Sequence, residues 1–283
     1  MNLDRMTPLE LITEMNREDA LIPEAIKPHL PKIAKVIEYG IESVSRGGRL
    51  IYMGAGTSGR LDVLDASECP PTFGVSPDVV VGLIAGGEGA FVKAVEGAED
   101  NRELGRQDLI DHNLTEKDLV IGLAASGRTP YVLGGLEYAK ETGCHTAAVT
   151  CNADSILSQT AEIGIDIVIG PEVLTGSTRL KAGTAEKMVL NMFSTGIMVG
   201  CGKTYSNLMV DVQQTNEKLV GRARRIVMSA TGVSEEEAAE KIREAGGSCK
   251  KAITMILADI DAGEAEKRLK KANGRVRDAI APR

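Results

Sequence analysis

The sequence predicts an α/β protein: a three-layer α-β-α sandwich around a parallel sheet, with a small helical appendage at the C-terminal end. Three observations carry that expectation. Short apolar runs of strand length recur at residues 50–53, 79–85, 119–125, 146–150 and 165–169. Segments of helical periodicity separate most of them, for example 131–142 with Val132, Leu136 and Ala139. The runs are continuously apolar rather than alternating, which suits strands buried on both faces. Strands alternating with helices join through right-handed crossovers, so helices cover both faces of the sheet.

The elements follow in order. Thr7-Pro8-Leu9-Glu10 is a capping box with Pro at the first helical position, and residues 16–19 are expected to break the short helix it starts. From Pro31, Ile33, Val36, Ile37, Ile41 and Val44 fall at helical spacing until Gly47-Gly48. Residues 182–200 read as a long buried helix with Met188, Val189, Met192, Phe193 and Ile197. The composition changes near Gly221. Ser234-Glu235-Glu236-Glu237 caps one helix and Gly246-Gly247 stops it; Ser248 caps a second with Ile253, Ile256 and Leu257, and 264–272 form a third. The expected division is an α/β domain over 1–220 and a small helical domain over 221–283.

Composition removes several function classes. The 33 Lys+Arg against 40 Asp+Glu leave a net charge of −7, which disfavours a nucleic-acid or anionic-membrane surface. Five Tyr, three Phe and no Trp supply few stacking platforms for single strands. No apolar run approaches ~18 residues, so no membrane span is expected. The first twenty residues lack a basic-then-apolar signal layout, so a cytoplasmic location is expected. Cys69, Cys144, Cys151, Cys201 and Cys249 form no CxxC pair, and His29, His112 and His145 are scattered. No metal centre and no cofactor are expected, and the chemistry falls to hydroxyls and carboxylates.

The hydroxyls sit in loops. Gly54-Ala55-Gly56-Thr57-Ser58-Gly59-Arg60 leaves the first strand and opens a helix, with GxGxxG spacing. A dinucleotide site wants an acidic residue about 20 residues on, at the end of the second strand. That strand instead ends Leu83-Ile84-Ala85-Gly86-Gly87, and Glu88 comes too late. Thr57 and Ser58 suit phosphate at a helix N-terminus; a plain N-cap has the same signature. Ser126-Gly127-Arg128-Thr129-Pro130 repeats the arrangement after the third strand. A third donor-rich stretch, Thr175 to Thr184, precedes the long helix and also reads as a solvated loop. Because the net charge is −7, an anionic ligand depends on these local donors. Among carboxylates, Glu68 stands before Cys69-Pro70-Pro71, where the double proline is expected to stop a helix. Glu88, Glu96, Glu99 and Asp100 follow the second strand, and spacing alone does not choose among them.

These motifs resemble N-acetylmuramic acid 6-phosphate etherases. The resemblance covers 49–61, 64–72 with its Ser67-Glu68-Cys69-Pro70-Pro71 block, 83–88, 94–100 and 124–132, and further stretches at 175–177, 180–185 and 207–212. It implies a SIS domain, usually a homodimer. It also implies cleavage of a D-lactyl ether to N-acetylglucosamine 6-phosphate and D-lactate in peptidoglycan recycling. In that reading Glu68 corresponds to the proton donor and Glu99 to the second acid/base. Thr57, Ser58, Ser126, Gly127 and Thr129 hold the phosphosugar, Arg128 pairs with an anionic group, and Lys181 is a further candidate. The acid role needs a raised pKa, so partial burial is expected around Glu68. A non-catalytic sugar-phosphate regulator and a sugar-phosphate isomerase are the alternatives on the same scaffold.

Overall fold

The computed structural model describes residues 2–212 and 217–281. They fall into two compact units, one of Met1–Ser67 with Asp78–Ser194, the other of Glu68–Pro77 with Thr195–Arg283.

The first unit begins with α1 (Pro8–Asp19), where the Thr7–Glu10 capping box forms, then α2 (Ile22–Ile26) and α3 (Leu30–Ser45). The helix does not break at Asn16; it runs on to Asp19, because nothing in the stretch forbids helical backbone. The sheet is built from β1 (Leu50–Gly54), β2 (Val80–Ile84), β3 (Leu119–Leu123), β4 (His145–Thr150) and β5 (Ile163–Asp166). The order is β2-β1-β3-β4-β5 and every pairing is parallel. α4 (Gly56–Phe73) follows β1, α5 (Arg102–Asp111) precedes β3, α6 (Pro130–Thr142) follows β3, and α7 (Ile156–Thr160) follows β4. Ile51, Met53, Leu83, Val120 and Ala148 join one core cluster with Val132 and Leu136 of α6. The alternate residues Leu50, Tyr52, Leu119 and Ile121 are equally buried. Both faces of the sheet are therefore covered, as the continuous apolar runs require.

The fifth strand is Ile163–Asp166, earlier than the apolar run suggests. Asp166 ends it as a polar hub. Its carboxylate accepts from Thr150 Oγ1 at 2.6 Å and from the Asp154 N–H at 3.1 Å, and also from Ser158. At the opposite edge of the sheet, Asp118, about 1% exposed, accepts from the Arg49 N–H and guanidinium and from the Thr115 N–H. That pairing fixes where β1 and β3 begin.

α4 passes through Pro70 and Pro71 without stopping. Both prolines lie in its last turn, and the helix ends at Phe73, within one turn of them. Gly74, at φ +63°, closes the helix by donating its N–H to the Pro70 carbonyl.

In the second unit, α8 (Lys181–Gly200) supplies its final residues, and a hairpin of β6 (Thr204–Tyr205) and β7 (Leu208–Met209) follows. Then come α9 (Glu217–Thr231), α10 (Glu235–Glu244), α11 (Cys249–Ala258), α12 (Ala262–Lys271) and α13 (Val276–Ala279). Ser234, Ser248 and Asp261 cap three of these through their side chains. Val210, Ala223, Val227, Ile242, Ile253 and Leu269 share one core. The division expected near residue 220 falls inside α9, and the compact unit already begins at Thr195. The charge content changes at Gly221, but the apolar core reaches back to the hairpin.

α5 and α6 approach through glycines. A methyl group at Gly105 would lie 1.9 Å from the Tyr131 carbonyl oxygen, and one at Gly134 2.0 Å from that of Arg102. The Tyr131 hydroxyl donates to Asp108 at 2.6 Å across the same contact. A Gly→Ala change in an open helix gains about 1 kcal/mol. Gly105→Ala is expected to do the reverse, costing about 1–3 kcal/mol from overpacking, measured by urea unfolding.

Candidate active site

The strand order reverses direction between β1 and β3, where open α/β sheets bind ligands beyond the carboxyl ends of their strands. Gly54 pairs with Leu123, so the loops that follow β1 and β3 leave the sheet side by side. Both sequence-predicted hydroxyl loops therefore sit at one edge. In the first, Gly56 takes φ +54° and α4 starts there. In the second, Gly127 takes φ +69°, and a side chain there would meet Ser155 Cβ at 2.2 Å. Thr129 is the N-cap of α6 but its hydroxyl caps nothing. The Ser126 hydroxyl accepts from the Arg128 N–H at 3.4 Å, and Arg128 is exposed.

Glu99 joins these loops through its backbone. Its carbonyl accepts from the Tyr131 N–H at 3.0 Å, so it occupies one of the orphan donors of the first turn of α6. A cavity of about 260 Å³ lies beside it, lined by Ala55, Gly56, Arg60, Ala85, Glu96 and Glu99 among others. Glu99 thus shares a cavity with the glycine loop. Arg60 is the cation of this wall. Its Nε donates to the Phe91 carbonyl at 2.8 Å and its Nη2 to that of Ala90 at 3.1 Å. Glu68 lies on α4 in the segment that clusters with the second unit, and it is exposed, in contrast to the partial burial expected for an acid.

Beneath the first loop lie acids that the sequence reading missed. Ser58 Oγ is 3.0 Å from Glu186 Oε1, and both residues are buried. Asp62 is wholly buried, and neither of its oxygens has a hydrogen-bond partner among the described residues. Burial pushes the Glu186 carboxyl up to about 8, with the Ser58 hydrogen bond opposing. Burial, then Glu186 and Asp65, push Asp62 well above the usual carboxylate range. Glu186 is thereby favoured in its neutral form near pH 7, and Asp62 is shifted in the same direction. A signal existed for Glu186. It precedes the buried Val189 and Leu190 by three and four residues, the spacing of one helical face.

The third donor-rich stretch differs from the first two. The Glu172 carboxylate accepts from the Lys181 and Ala182 N–H groups at 2.9 and 3.0 Å, so the start of α8 already holds an anion. Lys181 is about 1% exposed, and its ammonium donates to Glu18 at 2.8 Å and to the Ile169 carbonyl at 2.9 Å. Its side chain is directed to those partners rather than to the cavity that holds Glu99.

Comparison with known proteins agrees with this geometry. A family model described as the glucokinase regulatory protein N-terminal SIS domain matches residues 32–140, and one described as the SIS domain matches 103–195. Solved phosphoheptose isomerases from Neisseria gonorrhoeae and Francisella tularensis share the fold. Each has a TM-score of 0.53, at 14% and 16% identity, covering 68% and 69% of this chain and 98% and 100% of theirs. The fold and its paired loops define a SIS-domain protein. Two curated relatives are far more similar. An N-acetylmuramic acid 6-phosphate etherase of an Exiguobacterium species is 59% identical over 99% of this chain and 95% of its own length. That of Cronobacter sakazakii is 57% identical over 100% and 95%. The chain belongs to the N-acetylmuramic acid 6-phosphate etherase family.

The buried acid beneath Ser58 has a consequence for stability. Between the ordinary carboxyl value of 4.5 and about 8, the folded chain keeps a proton on Glu186 that the unfolded chain releases. Stability therefore falls as pH rises through that window, and Asp62 adds to the same slope. Glu186→Gln is expected to be nearly neutral at pH 5. At pH 9 it should exceed the parent by on the order of a few kcal/mol, read from urea unfolding across the range.

Proposed function

We propose that this chain cleaves the D-lactyl ether of N-acetylmuramic acid 6-phosphate with water, giving N-acetylglucosamine 6-phosphate and D-lactate. Kinship of 56–59% over nearly the whole chain supports the reaction. The observation that carries the site is Glu99, joined by its own carbonyl to the start of α6 and lining one cavity with the glycine loop.

The chemistry needs only positioned proton carriers and anion donors. In the open-chain sugar the C1 aldehyde acidifies the hydrogen on C2. Glu99 takes that proton. The C3–oxygen bond breaks, and Glu68 gives a proton to the departing lactate oxygen. Water then adds at C3 of the unsaturated aldehyde while C2 regains a proton. The phosphate lies at the first turns of α4 and α6, whose N–H groups have no partner within the helix. Thr57, Ser126, Gly127 and Thr129 surround it, with Arg128 as a counter-charge. Ser58 contributes its place in the first turn of α4, its hydroxyl being engaged by Glu186. Lys181, paired with Glu18, acts by holding α1 to the start of α8. Among the described residues no helix is long and apolar enough to cross a membrane. A cytoplasmic homodimer is the proposed form.

The purified protein is expected to release D-lactate from N-acetylmuramic acid 6-phosphate. Glu68→Gln and Glu99→Gln should each lower turnover at least about 100-fold while N-acetylglucosamine 6-phosphate still binds. Near-normal turnover in either variant removes that residue from the mechanism. Binding without lactate release by the parent protein points to a regulator, and aldose–ketose interconversion points to an isomerase.

A further inference from the structure

We propose that Arg60 binds the carboxylate of the substrate's lactyl group and so selects the ether substrate over the product that has lost it. The inference rests on the etherase reading and adds a specificity residue to it. Arg60 lines the cavity that contains Glu99 and Gly56. Two of its five donors are fixed on the Phe91 and Ala90 carbonyls, the last residues of the turn Glu88–Phe91. These bonds hold the guanidinium plane and leave both Nη1 hydrogens and one Nη2 hydrogen unspent. Those are the donors that meet a carboxylate side by side. Among the described residues Arg60 makes no ion pair, although Glu96 and Glu99 line the same cavity.

The substrate brings two anions to a chain of net charge −7. Its phosphate, on C6, is served by the helix starts. Its lactyl carboxylate hangs from C3, next to the C2 hydrogen that Glu99 must reach. The two carboxylates are therefore forced close together, and a cation is needed between them. Arg60 is the cation on that wall, and its planar fork matches a carboxylate better than a lysine ammonium does. Product lacks the lactyl group and makes no such contact. An alternative role, stapling the Glu88–Phe91 turn alone, uses only two of the donors and predicts no discrimination between the two ligands.

The test measures kcat/KM for N-acetylmuramic acid 6-phosphate by D-lactate release, and Kd for N-acetylglucosamine 6-phosphate by calorimetry. It uses the full chain, Arg60→Gln and Arg60→Lys. Arg60→Gln is expected to lower kcat/KM about 10- to 100-fold and to leave the product's Kd within about twofold. Arg60→Lys should lose less kcat/KM, again with the product's Kd unchanged. Should Arg60→Gln fail to fold by thermal melting, the Arg60→Lys pair of values decides. Equal loss for both ligands, or no loss for either, overturns the proposal while the etherase reading stands. A parent protein that releases no D-lactate overturns both.

Discussion

The carboxyl edge of the sheet depends on how closely α4 is drawn against the end of β1. A methyl group at Gly54 would lie 2.5 Å from Asp62 Oδ2 and 2.6 Å from the Gly59 nitrogen; one at Gly59 would lie 2.7 Å from the Gly54 oxygen. Neither position tolerates a side chain, so the first and third glycines of the loop are required by contact and not only by backbone freedom. With the helix this close, one face of its first turns is pressed into the protein. Ser58 and Asp62 go inward with that face. Arg60, two residues after Ser58, falls on the side that lines the cavity. One steric constraint thus sets the glycine turn, the buried acids beneath it and the cation beside it.

The electrostatics follow from that placement. Carboxylates directly under an anion-binding turn would oppose a phosphate if ionised, since like charges in a low-dielectric setting interact strongly. Burial eases the conflict by favouring the neutral form of Glu186 near pH 7 and by shifting Asp62 in the same direction. The Ser58 hydroxyl donates to Glu186 at 3.0 Å, so its proton is held beneath the loop. The same burial that weakens the fold as pH rises keeps the loop receptive to an anion.

Much of the architecture was legible in the sequence because continuous apolar runs and glycine-bounded loops have few other solutions. The strands at 50–54, 80–84, 119–123 and 145–150 lie where the runs placed them. The two hydroxyl loops were legible as helix starts, but their adjacency depends on β1 pairing with β3, which no local pattern reveals. The double proline misled by only a few residues: α4 carries Pro70 and Pro71 in its last turn and ends at Phe73. The second compact unit begins at Thr195, ahead of the change in composition near Gly221, because Val210 and its neighbours belong to its core. Glu99 emerged from the family motif and not from spacing. Its link to α6 runs through a backbone carbonyl, which carries no side-chain signature.

Three helices begin along this edge in donor-rich sequence, and the structure separates them by what already occupies each start. α8 holds the Glu172 carboxylate on its first N–H groups, and Lys181 at that turn is neutralised by Glu18. Its favourable positive end is thereby used internally, and it stabilises the fold. α6 keeps an N-cap hydroxyl that caps nothing, and it takes only a backbone carbonyl from Glu99. A carbonyl carries no net charge, so the dipole of α6 remains available to an anion while the bond fixes the Glu99 backbone beside it. α4 presents a glycine turn backed by buried acids. Of these three starts, α8 is the one already occupied by a carboxylate. The α4 and α6 starts flank β1 and β3, where the strand order reverses.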